Sequence, residues 1–296
     1  MRRVLDESFM KDVFVGLKAV FNGALETQNN DYAKVATVIN ADTPTVNYTW
    51  IADLPSMREW IGDRVLNELS AWQYTISKKD WEASIKVQRD VLEYDNLGIV
   101  KPRIQELARV VGEHYNSTVF KLFEDNGLCY DGANFFGDHT VDIGGATFTF
   151  SNQGTNELNE AGYNESVKEM ARLAKENGAP LRIRPNLIVV PPELKAKAVE
   201  LFKNERKANG ASNPLFGEVE ILVVPELTDE KSWYLLDTTR YVKPFILQVN
   251  KEAKFTAMDK LEDESVFMRK EFRYGVDTED NVGYGFWELA YKNTIA

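Results

Sequence analysis

Residues 81–126 read WEASIKVQRDVLEYDNLGIVKPRIQELARVVGEHYNSTVFKLFEDN. Two periodicities meet there. In the first ten residues Trp81, Ala83, Ile85, Val87 and Arg89 point one way, and Glu82, Ser84, Lys86, Gln88 and Asp90 the other. That alternation predicts a half-buried strand. Asp95 or Asn96 can then cap a helix, and Pro102 fits only near its first turn. Ile104, Leu107, Ala108, Val111, Tyr115, Val119 and Leu122 form one apolar stripe, which predicts a helix over 97–126. From Pro102 to Glu124 it would span about 35 Å. A long single-striped helix is a spine on which a sheet can pack, so the class is α+β.

Upstream, Tyr74, Ile76 and Lys78 give a shorter strand, and Lys78-Lys79-Asp80 reads as a polar turn. Together with 81–90 this predicts a β-hairpin inside residues 51–95. Four of the six tryptophans, Trp50, Trp60, Trp72 and Trp81, fall between positions 50 and 81. An isolated ribbon is marginal in water, so these side chains need a partner surface on this chain or another. Residues 1–50 read as an arm. It holds a modest helix over 4–25, carried by Val4, Phe9, Val13, Leu17, Val20, Phe21 and Leu25, and an extended stretch over 35–50.

Downstream, 127–162 is loop-rich with one short strand at 146–150. A helix is expected over 163–177, a buried strand over 186–190, and a helix from Pro191-Pro192 to about Lys207. Strands are expected at 233–249, 252–258, 266–275 and 282–291, separated by the turns DTTR, LEDES and DTEDN.

The 296 residues carry 35 Lys plus Arg against 46 Asp plus Glu, a net charge of −11. Modules that grip DNA neutralise phosphates with a basic surface, so this balance argues against one. The single cysteine, Cys129, excludes an intrachain disulfide framework and a Cys-rich zinc site. No apolar run approaches the roughly 20 residues of a membrane span. The first residues, MRRVLDESFMKDVF, place acids in the first apolar stretch, unlike a secretory signal.

The search for chemistry returns little. His114 lies on or beside the helical stripe and reads as a core-edge histidine. His139, with Asp138 and Asp142 near it, matches no standard ligand spacing and reads as a solvated turn. The motifs G-x-S-x-G, G-x-x-x-x-G-K-[ST] and G-x-G-x-x-G are missing from the sequence. Gly283–Gly285 reads as a bend or bulge, and the pairs Glu262–Asp263 and Glu279–Asp280 as solvated loops. The expectation is no catalytic residue, no cofactor and no metal. An acidic hydrolase built on His139, Asp138 and Asp142 is the rival from another class.

Seven ordered segments carry a resemblance. They are MREWIGDR (57–64), YTISKKDWE (74–82), VQRDVLEYDNLGIVKP (87–102), CYDGANFFGDH (129–139), WYLLDTTRYVKPFILQ (233–248), FMRKEFRYGVD (267–277) and GYGFWELAY (283–291). In order and spacing they resemble the Mu-like phage major head subunit family, over about 50–290. The resemblance implies a Hong Kong 97-type capsid fold. It assigns 1–50 to an N-terminal arm and 51–95 to an extended β-hairpin loop. Residues 96–162 and 233–296 become a peripheral domain with its spine helix at 97–126, and 163–232 an axial domain.

The resemblance also implies a structural protein that self-assembles into hexamers and pentamers of an icosahedral shell around double-stranded DNA, without catalysis or cofactor. The implied partners are further copies of the chain, with scaffold, maturation protease and portal proteins during assembly. The implied location is the virion capsid, assembled in the bacterial host cytoplasm. An encapsulin-like nanocompartment shell is the alternative. Aromatics and arginine are enriched at interface cores. The expected inter-subunit residues are therefore Arg58, Trp60, Asp63, Arg64, Trp72, Trp81, Ile85, Val87, Arg89 and Asp90, with the 81–90 face packed on a neighbouring subunit.

Overall fold

The structure, a computed structural model, describes residues 5–48, 74–94, 97–143, 145–175 and 178–295. In chain order the helices are α1 (Glu7–Glu26), α2 (Tyr32–Val35), α3 (Arg89–Glu93), α4 (Leu97–Asp125), α5 (Glu160–Ala171), α6 (Lys195–Phe202) and α7 (Glu264–Arg269). The strands are β1 (Ala36–Asn40), β2 (Thr45–Asn47), β3 (Thr75–Ser77), β4 (Lys79–Gln88), β5 (Asp138–Ile143), β6 (Ala146–Ser151) and β7 (Gln153–Gly154). They continue with β8 (Leu187–Val190), β9 (Glu220–Val223), β10 (Ser232–Leu236), β11 (Phe245–Met258), β12 (Glu271–Tyr284) and β13 (Ala290–Thr294).

The spine helix α4 connects two hydrophobic cores. Its first half buries Val100, Ile104, Leu107, Ala108 and Val111 in one, with α1 and the far ends of β4, β11 and β12. Its second half buries Val119, Phe120, Leu122 and Phe123 in the other. The stripe read from sequence is thus one face serving two cores in succession. Pro102 falls in the second turn, one turn deeper than the expected position.

Helix α1 starts where the Asp6 carboxylate accepts the Phe9 amide at 2.8 Å. Met10, Val13, Leu17 and Phe21 then recur at three- and four-residue steps and are buried against α4. Within the expected arm, this helix is part of the chain's own core.

Four strands form a mixed sheet in the order β1-β11-β12-β4, with β1 parallel to β11 and the other pairs antiparallel. Five more form the order β7-β13-β10-β8-β9. Every residue of β8 and β10 is buried, as continuous apolar strands should be at the middle of a covered sheet.

Three local expectations are corrected, one being the start of the 266–275 strand, which is helical in α7. The ribbon between 74–78 and 81–90 does not form. β3 pairs with β2, joining Val46 to Ile76, and β4 pairs with β12 from Lys79↔Asp280 to Gln88↔Glu271. The sheet places Ala83, Ile85 and Val87 opposite Val276, Tyr274 and Phe272, and these cross-strand apolar pairs exceed what a two-stranded ribbon supplies. The DTEDN run is also no turn, since it lies inside β12. Its acids have partners there: Asp277 bonds Lys251, Glu279 bonds Lys78, and Asp280 meets His114.

Candidate functional site

Among the described residues strand β4 is the edge of its sheet, and it carries part of the predicted interface. An open edge offers unpaired backbone groups, and charged side chains are the usual protection. Lys78 bonds Asp80 and Glu279, and Lys86 approaches Glu271 at 3.2 Å. On the other face Val87 is buried and Ile85 half-buried, in the core made with α1 and α4. The expectation that a neighbouring subunit covers this face is therefore corrected for Val87, because the chain's own spine helix already covers it.

Trp81 sits at the margin of that face, 37% exposed. Its indole N–H donates to the Asp280 carbonyl at 3.3 Å, and its ring lies 4.6 Å from the His114 imidazole. His114 Nε2 is 2.9 Å from the Asp280 carboxylate, and Asp280 is fully buried. Tyr115 on α4 reaches Thr278 on β12 at 3.1 Å. The core-edge reading of His114 matches this position. Asp280, read as part of a solvated loop, is instead the buried acid tying the spine helix to the sheet. No local signal distinguishes it within a run of acids.

Arg89 opens α3, with its Nε 2.8 Å from Glu93, and Asp90 beside it is exposed. The Arg89 amide donates to the Lys270 carbonyl at 2.8 Å, which brings α3 against α7. Tyr94 at the end of α3 and Phe267 and Met268 on α7 are exposed, Phe267 by 82%. Sequence reading missed these three, and the segment that holds Phe267 and Met268 was expected to be strand. Arg58, Trp60, Asp63, Arg64 and Trp72 lie outside the described residues. β2 and β3, which flank that segment, run side by side, with the Tyr48 amide donating to the Tyr74 carbonyl at 2.7 Å.

His139 is not in a solvated turn. It is fully buried on β5, and strand alternation turns it away from Asp138 and Asp142, which are exposed on the opposite face. Its Nδ1 meets Asp131 at 2.5 Å instead, while Asp142 accepts from Thr147 at 2.7 Å. The hydrolase constellation is not assembled. Among the described residues no group of three or more His, Cys, Asp and Glu side chains is placed to hold a metal. Burial pushes the Cys129 thiol well above its ordinary value, the opposite of an activated nucleophile.

Two cores are strung on one long helix. The profile of the Mu-like prophage major head subunit family (gpT) matches residues 10–157, 153–227 and 226–295. The chain belongs to that family. It is 30% identical over 285 residues to the Mu-like prophage FluMu major head subunit of Haemophilus influenzae, covering 95% of this chain and 72% of that protein. It is 27% identical over 290 residues to the major capsid protein of Escherichia phage Mu, covering 97% and 74%. The procapsid subunit of bacteriophage JBD30 superposes with a TM-score of 0.67 at 31% identity, covering 99% of this chain and 77% of that one. The fold is the α+β Hong Kong 97-type capsid fold, and the chain is a structural major head subunit, a component of the virion capsid. The encapsulin-like alternative has weaker support, since these relatives near 30% identity are all phage head proteins.

Proposed function

We propose that this chain closes hexamers and pentamers into an icosahedral head around double-stranded DNA, acting through broad contacts and without catalysis or cofactor. The observation that carries this reading is the likeness to the JBD30 procapsid subunit across 99% of the chain. The net charge of −11 supports it, because an acidic wall does not grip packaged DNA. The layout read from sequence fits the same proposal: arm 1–50, extended loop 51–95, peripheral domain 96–162 and 233–296, and axial domain 163–232. Scaffold, maturation protease and portal proteins are the proposed partners, and the bacterial cytoplasm the proposed site of assembly.

The proposed contacts are Arg58, Trp60, Asp63, Arg64 and Trp72, with Trp81, Arg89 and Asp90 on the β4–α3 edge. Tyr94 at the end of α3 and Phe267 and Met268 on α7 join them, because large exposed apolar side chains are candidates for covering. Val87 and Ile85 support the edge from inside.

This division is testable. Phe267→Ser should leave the subunit within about 0.5 kcal/mol of wild-type stability, as exposed substitutions usually do, while assembly measured by sedimentation falls. Val87→Ala should destabilise the isolated subunit by about 1–2 kcal/mol. Phe267→Ser shells that form as efficiently as wild type would remove the α3–α7 junction from the interface.

A further inference from the structure

A group of titratable side chains, His139 fully buried and Tyr130, Asp131 and Glu288 half-buried, joins the end of the spine helix to the five-stranded sheet. Tyr130 and Asp131 come from the turn after α4, His139 from β5, and Trp287 and Glu288 from a 3₁₀ turn, Trp287–Leu289, that leads into β13. His139 is gripped through both ring nitrogens, Nδ1 at 2.5 Å from Asp131 and Nε2 at 3.2 Å from the Phe135 carbonyl. A carbonyl only accepts, so Nε2 carries a proton. The Trp287 ring lies flat on this imidazole, with centroids 3.9 Å apart.

Glu288 lies beside them, half-buried as a residue with its Oε2 atom turned inward. Its Oε1 accepts from the Tyr130 hydroxyl at 3.0 Å, while its Oε2 is buried without a hydrogen-bond partner. The titratable groups that face it are Tyr130, Cys129, Asp131 and His139. One of these is a carboxylate that repels a second negative charge, and His139 is already held by that carboxylate. An ionised carboxyl with one empty oxygen is expensive in such a place, and a neutral one much less so.

We propose that Glu288 is a proton-controlled latch: when neutral it lets the 129–139 turn close on the Trp287–Leu289 turn, and when ionised it loosens that joint. The geometry is supported by the acid's affinity for its proton, since burial pushes Glu288 up to about 7 from 4.5. With the folded value above the unfolded one, the latch contributes fully below 4.5, and its contribution is lost as pH rises through about 7. Asp131 works at the other end of the scale. Burial raises it, but the His139 hydrogen bond and charge outweigh burial and leave it below 3.8, so its contribution fails only in stronger acid.

Hydrogen–deuterium exchange on the purified chain tests the latch, read on peptides spanning 127–143 and 283–291 and corrected for intrinsic exchange. Between about pH 5.5 and about pH 8.5 the opening of these peptides should rise by about tenfold or more in wild type. Glu288→Gln, a neutral isostere that keeps the Tyr130 hydrogen bond, should show a flat profile. A flat wild-type profile would overturn the proposal, as would a Glu288→Gln variant with the wild-type slope, which would assign the titration to another group. A second reading needs no variant: infrared spectra of wild type should show a protonated buried carboxyl in mild acid that disappears above about pH 8. Lack of that band in mild acid would also refute the latch.

Discussion

Phe123→Ala should destabilise the subunit by about 3–5 kcal/mol, the range for removing a buried phenylalanine that its neighbours cannot replace. Phe123 is fully buried on the second half of α4, where helix and sheets meet. Its ring centroid lies 4.9 Å from Tyr234 in an edge-on arrangement, 4.4 Å from Phe245, 5.8 Å from Phe120 and 6.5 Å from Phe136. These partners come from α4, the following turn, β10 and β11, so no single element can move to fill the space. The cost combines lost apolar transfer, lost ring contacts and the cavity itself. Denaturant unfolding of the unassembled subunit measures it. A loss below about 1 kcal/mol would show that this core collapses easily, against the dense packing described.

The second large effect is expected at Asp280. Asp280→Ala strips His114 of a buried acceptor at 2.9 Å and removes the carboxylate 3.2 Å from the Thr278 hydroxyl, which keeps the Lys251 carbonyl at 2.8 Å. Breaking a buried pair by deleting one partner costs about 3–5 kcal/mol, and orphaning a neutral hydrogen-bonding group about 1–3 kcal/mol, so a loss near 3 kcal/mol is expected. Asp280→Asn keeps the size and one acceptor and should recover part of it. Chemical denaturation of both variants checks the order. Equal stability for wild type and Asp280→Ala would mean that the His114–Asp280 pair adds nothing to the tie between spine helix and sheet.

Several features of this fold were legible in the sequence for identifiable reasons. The spine helix announces itself because its stripe is uninterrupted from Ile104 to Leu122, and the structure places it at Leu97–Asp125. The strand at 81–90 was legible in its alternation, but its pairing was not. A period of two says that one face is buried, not which strand lies beside it, and the Lys79↔Asp280 partners lie 201 positions apart in the chain. The acids of β12 misled for a related reason. Asp277, Glu279 and Asp280 resemble a solvated turn until Lys251, Lys78 and His114 are brought to them by the fold.

Burial of the tryptophans was likewise invisible locally. The cluster at 50–81 drew attention, while Trp233 and Trp287 are the largest fully buried side chains among the described residues. For His139 the nearest acids in sequence were the wrong ones, because strand geometry turns them to the opposite face and the partner, Asp131, arrives from the preceding turn. The family itself was legible in the seven ordered segments, which survive the local errors because their spacing reflects the whole chain.

The measurement that bears most directly on this account is electron microscopy of the particles formed when the chain is produced in bacteria, alone and with the proposed scaffold, protease and portal proteins of a Mu-like phage. The account predicts closed angular shells whose subunits show the spine helix and the two sheets described here. Protein that remains a uniform monomer under those conditions, with no shells at any concentration, would contradict it.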